Sequence, residues 1–158
     1  MRIALGNDHA GYPLKEYVRT VLEDLGHDVI DRGAPSETPV DFPDITFATC
    51  DLVRTGGADR AVLVCGTGQG AVMAANKIAG IRCGLAHDVY SAHQSVEHDD
   101  ANAIAIGAWV IGKAIAAEVV EAFVNARFDN DDDTVRRVDK LRELERNSAS
   151  ELSKEITQ

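Results

Sequence analysis

Along the chain, short continuous runs of apolar residues alternate with longer stretches in which apolar residues recur every three or four positions. Continuous runs of this length are typical of strands that are buried on both faces of a sheet. They predict five strands, at residues 2–5, 27–30, 61–64, 81–86 and 103–106. The helical spacing predicts a first helix that opens at Pro13 and stops at Gly26, and further helices over residues 45–53, 71–77, 89–96, 113–125 and 135–146.

Strands that alternate with helices predict a parallel sheet covered on both faces, with right-handed crossovers. The expected fold class is therefore α/β, a Rossmann-like three-layer α/β/α arrangement around a five-stranded parallel sheet. The 158 residues suffice for one domain with a proper core. We expect this single domain to cover residues 1–146, with Thr134 capping its last helix. The polar tail, residues 147–158, is expected to be partly flexible or to contact a partner subunit.

Composition narrows the classes of partner. A net charge of -10 and a pI near 4.8 argue against nucleic acid or an anionic membrane, because both require a basic face. Three cysteines show neither metal-ligand spacing nor a disulfide framework, and Cys50 and Cys83 lie in apolar contexts typical of a core. The first residues lack the apolar region of a signal peptide, and no apolar run is long enough to span a membrane. We therefore expect a protein of the reducing cytoplasm.

The stretch Cys65-Gly66-Thr67-Gly68-Gln69-Gly70 carries the first candidate chemistry. It follows the third predicted strand and leads into a helix, which is where ligands bind in open parallel sheets. Glycines let the backbone approach a ligand, and the free N–H groups of a helix N-terminus favour an anion. The same position lowers the pKa of a thiol. A tight strand-to-helix turn with a buried cysteine is an equally good interpretation of this stretch alone.

Further polar residues stand near the ends of the other strands. Asp8 and His9 follow the first strand, His87 and Asp88 follow the fourth, and His98 shortly precedes the fifth. A single histidine in such a place is usually structural. We expect these groups to gather with the cysteine at one edge of the sheet, where a thiol base, an imidazole and oxyanion donors would suit proton abstraction next to a carbonyl.

The ordered set of these motifs resembles the type B ribose-5-phosphate isomerase family, which includes the subunits of galactose-6-phosphate isomerase. The resemblance runs from residue 2 to about residue 145. It is carried by Gly6-Asn7-Asp8-His9-Ala10-Gly11 with Lys15, Asp41-Phe42-Pro43, Cys65-Gly66-Thr67-Gly68, Ala74-Ala75-Asn76-Lys77, Gly80-Ile81-Arg82, Tyr90-Ser91-Ala92, and His98 with Asn102.

The resemblance implies an aldose–ketose isomerase that works through an enediolate, without a metal or other cofactor. It also implies a homodimer, sometimes a tetramer, with each active site between two subunits. Cys65 matches the catalytic base, Thr67 a residue that orients substrate and base, and His98 the histidine that opens the sugar ring. Some members use a glutamate just after the glycine turn, but this chain has Ala71 there, which leaves Cys65 as the base.

The resemblance also implies a set of substrate-binding residues. Asp8 and His9 match substrate contacts in the first loop, and Phe42 matches an aromatic residue that borders the sugar. The backbone of Gly66, Gly68 and Gly70 matches the anion hole for the enediolate.

Three departures from the family pattern concern the phosphate. Asp99 stands at a substrate-contacting position where the family usually has asparagine, and Trp109 stands where it often has arginine. Two arginines four residues apart usually bind phosphate. Arg137 matches the second, Asp133 occupies the first position, and Arg136 is a further candidate that could compensate. All three departures remove positive charge or add negative charge where a phosphate dianion is expected.

The leading interpretation is an isomerase of ribose 5-phosphate and ribulose 5-phosphate that acts as a homodimer. One alternative is the same chemistry on a tetrose phosphate, a hexose phosphate or an unphosphorylated acid sugar. A different alternative is a catalytically silent protein that uses the glycine turn only to hold a ligand. A nucleotide-binding role fits less well, since the glycine turn follows the third strand and has neither a Walker lysine nor dinucleotide spacing.

Overall fold

The computed structural model describes residues 1–156, with side chains through Ser153. Within these residues it has five strands, β1 (Arg2–Asn7), β2 (Asp28–Asp31), β3 (Arg60–Cys65), β4 (Cys83–Leu85) and β5 (Ala103–Gly107). Its six helices are α1 (Tyr12–Asp24), α2 (Phe42–Arg54), α3 (Gln69–Ala75), α4 (Val89–Glu97), α5 (Lys113–Asn125) and α6 (Asp132–Ile156). Among the described helices, none combines the length and the apolar character needed to cross a membrane.

The strands form one parallel sheet in the order β2-β1-β3-β5-β4. The central strand β3 pairs with β1 on one side and with β5 on the other, and Cys65 lies opposite Gly107. The predicted α/β fold with a five-stranded parallel sheet is confirmed. Because all strands run the same way, the residues that follow them meet at one edge, here called the carboxyl edge. The residues that precede the strands meet at the opposite amino edge.

Helices cover both faces of the sheet, and β3 shows how the faces are divided. Val62 and Val64 pack into the core under α1, α4 and α5. Ala61, Leu63 and Cys65 belong to the second core, under α2 and α3. Successive strand residues point to opposite faces, so a strand buried on both faces must be apolar throughout, as its sequence is.

Two helices start three residues before their predicted first residues. Helix α2 begins at Phe42, three residues before the predicted start, because Pro43 is suited to a first turn. Helix α6 begins at Asp132, and the predicted cap Thr134 is wrong. The Oδ1 atom of Asp131 accepts hydrogen bonds from the N–H groups of Asp133 and Thr134, both at 2.8 Å, so Asp131 fills the capping role.

Helix α6 also continues ten residues beyond the predicted end at 146. It is fixed against the amino edge, where Arg142 lies 3.4 Å from a carboxylate oxygen of Asp100 and Glu145 accepts a 2.8 Å hydrogen bond from the N–H of Gly80. The predicted tail is therefore helical over residues 147–156, and residues 157–158 lie outside the described part. The predictions that this tail lies outside the domain and that it contacts a partner subunit stay predictions.

Candidate active site

Cys65 is the last residue of β3, at the centre of the carboxyl edge, and its side chain is 9% exposed. The turn that follows is shaped by Gly68, which has a left-handed φ of +80° and stands at the N-terminus of α3. A Cβ at Gly68 would lie 2.5 Å from Cδ1 of Leu85, so both the backbone conformation and the space require glycine. The strand end and the glycine turn therefore fix the position of the thiol.

The environment of Cys65 raises the pKa of its thiol. Burial is the largest cause, and a hydrogen bond to Asp8 and the negative charge of Asp8 add to it. Backbone N–H groups of Gly68 and Thr67 act in the opposite direction but do not outweigh these effects. The expectation of a lowered pKa is thus wrong for the chain by itself, because the thiol is buried and the carboxylate of Asp8 lies beside it.

Asp8 and His9 lie in the loop after β1, next to Cys65. The N–H of Asp8 donates to the carbonyl of Val64 at 3.2 Å, and Oδ1 of Asp8 accepts from the N–H of Gly11 at 2.8 Å. His9 accepts a 3.3 Å hydrogen bond at Nδ1 from the N–H of Val40. A neutral His9 therefore carries its proton on Nε2, which leaves that atom as a donor for a ligand.

Two aromatic rings border the glycine turn. A Cβ at Gly70 would lie 3.1 Å from Cζ of Phe42, and a Cβ at Gly66 would lie 2.9 Å from Cε3 of Trp109. Thr67 is exposed between them, and its hydroxyl accepts a 3.4 Å hydrogen bond from the N–H of Gln69. Thr67, Phe42 and the glycines are thus brought together with Cys65, in agreement with their predicted neighbourhood.

Two further polar side chains, those of Lys15 and His87, support this edge. Lys15 is 5% exposed, lies 3.0 Å from Oδ2 of Asp31 and donates to the carbonyl of Ala34 at 3.2 Å, so it holds the loop that leads to Phe42. The helical spacing places Lys15 on the buried face of α1 with Leu14 and Val18, so the sequence already indicated a structural role for it.

His87 lies behind the turn. A Cβ at Gly107 would be 2.9 Å from both Nε2 of His87 and Cα of Thr67. Nε2 is buried and has no hydrogen-bond partner among the described residues. Within the same part of the chain, no group of three or more His, Cys, Asp or Glu side chains is placed to hold a metal ion.

His98 and Asp99 do not join this group. Helix α4 starts at the carboxyl edge and returns across the sheet, so His98 at its C-terminal end lies at the amino edge. The strands β3 and β5 are six and five residues long. This length separates His98 from Cys65 by about 13–16 Å along the sheet. The expectation of a single edge that carries all the candidate residues is therefore wrong for one chain. Asn102, beside them, is structural: its side chain bonds the backbone of Gly80 and Arg82.

Arg136 and Arg137 belong to the same distant group. They lie in the first turns of α6, whose preceding segment bonds the C-terminal end of α4 through the N–H of Asp129 and the carbonyl of Glu97, 2.9 Å apart. Both arginines form ion pairs with Asp133, at 3.7 Å for Arg137. All three side chains are exposed. Asp133, which departs from the family pattern, thus forms ion pairs with both candidate phosphate-binding arginines within the single chain.

The family described as Ribose/Galactose Isomerase matches residues 3–141. The chain belongs to this family. It is 38% identical to Ribose-5-phosphate isomerase B of Escherichia coli (strain K12), over 81% of this chain and 86% of that protein. It is 36% identical to D-erythrulose-4-phosphate isomerase 2 of Mycolicibacterium smegmatis, over 89% and 95% respectively. The solved structure of Clostridium thermocellum Ribose-5-Phosphate Isomerase B superposes with a TM-score of 0.91 at 38% identity, covering 94% of this chain and 99% of that one.

These similarities confirm the resemblance found in the sequence. The protein is a sugar phosphate isomerase of the ribose-5-phosphate isomerase B type, which makes it an aldose–ketose isomerase. The relatives carry two substrate names, a five-carbon and a four-carbon sugar phosphate, so membership of the family leaves the sugar open.

Proposed function

We propose that the protein interconverts a small aldose phosphate and its ketose phosphate, with ribose 5-phosphate and ribulose 5-phosphate as the leading pair. The reaction passes through an enediolate, uses Cys65 as its base and needs no metal ion. The observation that supports this proposal is the position of the Cys65 thiol at the centre of the carboxyl edge, where the backbone N–H groups of Thr67 and Gly68 are directed at it. Three free cysteines fit a reducing cytoplasm as the place of action.

The arrangement assigns the proton transfer as follows. The thiolate of Cys65 removes the proton from C2 of the open-chain aldose, and the electron pair moves to the carbonyl oxygen to form the enediolate. Backbone N–H groups of the turn from Gly66 to Gly70 stabilise that negative charge. A proton then passes from the C2 hydroxyl to the C1 oxygen, and the Cys65 thiol returns the carbon proton to C1, which leaves a carbonyl at C2 and gives the ketose. A raised pKa makes the thiolate a stronger base, at the cost of a smaller thiolate population near neutral pH.

The remaining roles concern the substrate. The hydroxyl of Thr67 orients it, while Asp8, His9 and Phe42 contact it from the carboxyl edge. His98 opens the sugar ring, since a cyclic sugar has no free carbonyl next to the proton that Cys65 removes. Asp99 lies beside His98, and Arg137 binds the phosphate with help from Arg136.

The two groups of residues require two chains. Cys65 and His98 lie at opposite edges of one sheet, so no motion of side chains within a chain unites them. A second copy, docked so that its amino edge faces the carboxyl edge of the first, brings both groups to one substrate. A symmetric dimer of this kind has two such sites. This is why we propose a homodimer with its active sites at the subunit interface.

Hybrid dimers test the two-chain site directly. Cys65→Ala and His98→Ala proteins should each keep about one per cent or less of the wild-type activity on ribose 5-phosphate under this proposal. Unfolding and refolding them together forms mixed dimers in which one of the two sites has both residues intact, so about a quarter of the wild-type activity returns. A mixture that stays as inactive as its parents would show that both residues act from the same chain.

The reaction itself is tested with a panel of aldose phosphates and free aldoses, assayed for ketose formation in deuterated water. Ketose production from ribose 5-phosphate with deuterium at the transferred position supports the proposal. Faster turnover of erythrose 4-phosphate would instead favour the four-carbon alternative. Binding without deuterium exchange for every sugar would identify a non-catalytic sugar-phosphate-binding protein.

A further inference from the structure

Trp109 is the only tryptophan of the 158 residues, and its side chain is 74% exposed. It follows β5 at the carboxyl edge, and its backbone is fixed to the end of β3. The N–H of Trp109 donates to the carbonyl of Gly66 at 2.9 Å, and the N–H of Ala108 donates to the carbonyl of Cys65 at 2.8 Å. The indole is therefore placed by the strand end that carries the candidate base.

The benzo part of the indole lies against the glycine turn. A Cβ at Gly66 would be 2.9 Å from both Cε3 and Cζ3, so any other residue at position 66 would displace the ring. Phe42, which is 38% exposed, borders the same turn at Gly70. The turn that follows Cys65 is thus flanked by two aromatic rings, each with surface left uncovered in the single chain.

An exposed indole beside polar groups has surface available for a ligand. Ligand sites combine apolar and aromatic walls with a few convergent polar groups, and this edge has both. An aromatic face without positive charge recognises apolar surface, and the part of a sugar phosphate that offers apolar surface is the C–H face of its carbon chain. The phosphate group offers no apolar surface of this kind.

We propose that Trp109 is a specificity-determining residue that packs on the C–H face of the bound sugar. This inference rests on the proposed function. It predicts that Trp109 contributes to binding of the sugar carbons and contributes nothing to binding of the phosphate group.

Kinetics separate these two contributions. Trp109→Ala should raise KM for the sugar phosphate about tenfold, the loss expected for one aromatic contact, and change kcat less. Its inhibition constant for inorganic phosphate should equal that of the wild type. Trp109→Phe should restore most of the affinity, and Val110→Ala, a change at the exposed neighbouring residue, should behave as the wild type. Equal losses for sugar phosphate and inorganic phosphate would overturn the assignment.

A single tryptophan also makes binding visible without turnover. In Cys65→Ala, ribose 5-phosphate or erythrose 4-phosphate should change the tryptophan emission in a saturable way, while inorganic phosphate should not. A sugar that the wild type converts but that leaves this emission unchanged overturns the role of Trp109 and leaves the proposed function standing. A saturable change without turnover by the wild type overturns the reaction and leaves the contact. Emission that changes only when the protein is diluted shows that a second chain covers the indole, and the inference fails.

Discussion

The proposed function assigns two halves of one reaction to the carboxyl and amino edges of the sheet, and these edges are built differently. At the carboxyl edge, Asp8 and Cys65 are buried, and backbone hydrogen bonds between neighbouring strands and their loops hold them in place. At the amino edge, His98, Asp99 and the two arginines are exposed at helix ends, and Asp133 of the same chain pairs with the arginines. Under the proposed function, the buried first edge holds the base for proton transfer, whereas the exposed second edge meets another molecule.

The largest effect is expected at the carboxyl edge. Cys65→Ala should lower turnover at least about a thousandfold, the scale of a lost general base, while the fold is kept. Cys50→Ala is the matched control and should leave turnover unchanged, because Cys50 is fully buried in the core and its thiol pKa is raised to about 12 by that burial. Steady-state rates with ribose 5-phosphate make the comparison. Full activity in Cys65→Ala would remove the base from the carboxyl edge.

His98→Ala probes the opposite edge and should spare the proton transfer. Loss of a general acid–base group should slow turnover of ribose 5-phosphate about a hundredfold. Erythrose 4-phosphate is too short to close a ring through a free hydroxyl and should be affected much less. The measurement is the rate of His98→Ala on both substrates. Cys65→Ala, which should abolish turnover of both substrates, is the control. Equal losses in His98→Ala would mean that the amino edge takes part in isomerisation itself.

The arginines of the amino edge should affect binding more than turnover. Arg137→Ala should raise KM for a sugar phosphate ten- to a hundredfold at nearly constant kcat, as expected when a charge-assisted contact of about 1.5–3 kcal/mol is lost. Asp133→Ala should lower KM, because it removes the carboxylate that pairs with Arg137.

The comparison substrate is the same sugar without its phosphate. Arg137→Ala should leave its KM unchanged, and salt should weaken only the phosphorylated substrate. A free sugar that is converted as well as the phosphate, together with an unaffected Arg137→Ala, would favour an unphosphorylated substrate.

The smallest effect concerns the charge beside the thiol. Asp8→Asn keeps an oxygen that can accept from Gly11 and removes the negative charge, so the pKa of Cys65 should fall. Since the reactive species is the thiolate, alkylation by iodoacetamide at neutral pH should become severalfold faster, and the acid limb of kcat/KM should move to lower pH. A limb that moves to higher pH would show that Asp8 does not oppose ionisation of Cys65.

Particular residues show how far the sequence could be used. The run 61–64 predicted the central strand because a strand buried on both faces must be apolar throughout. Cys65 follows that apolar run and precedes the glycine turn, so the sequence also placed it at the carboxyl edge. The cap of α6 was misplaced by three residues, since Asp131 and Thr134 are both good capping residues and only the hydrogen bonds distinguish them. The pKa of Cys65 was misjudged because burial of the thiol, the largest cause of its raised pKa, is a property of the folded chain, and because Asp8, which adds to it, is 57 residues away along the chain.

The sequence by itself determined the α/β architecture, the strand that carries the thiol and the family, because apolar periodicity and ordered motifs are local properties of the chain. The tertiary structure alone decided which groups meet. It placed Asp8 beside Cys65, Trp109 against Gly66, and His98 at the far edge of the same sheet. Such neighbourhoods depend on strand order and on the direction in which each helix returns, and no local pattern of residues encodes either.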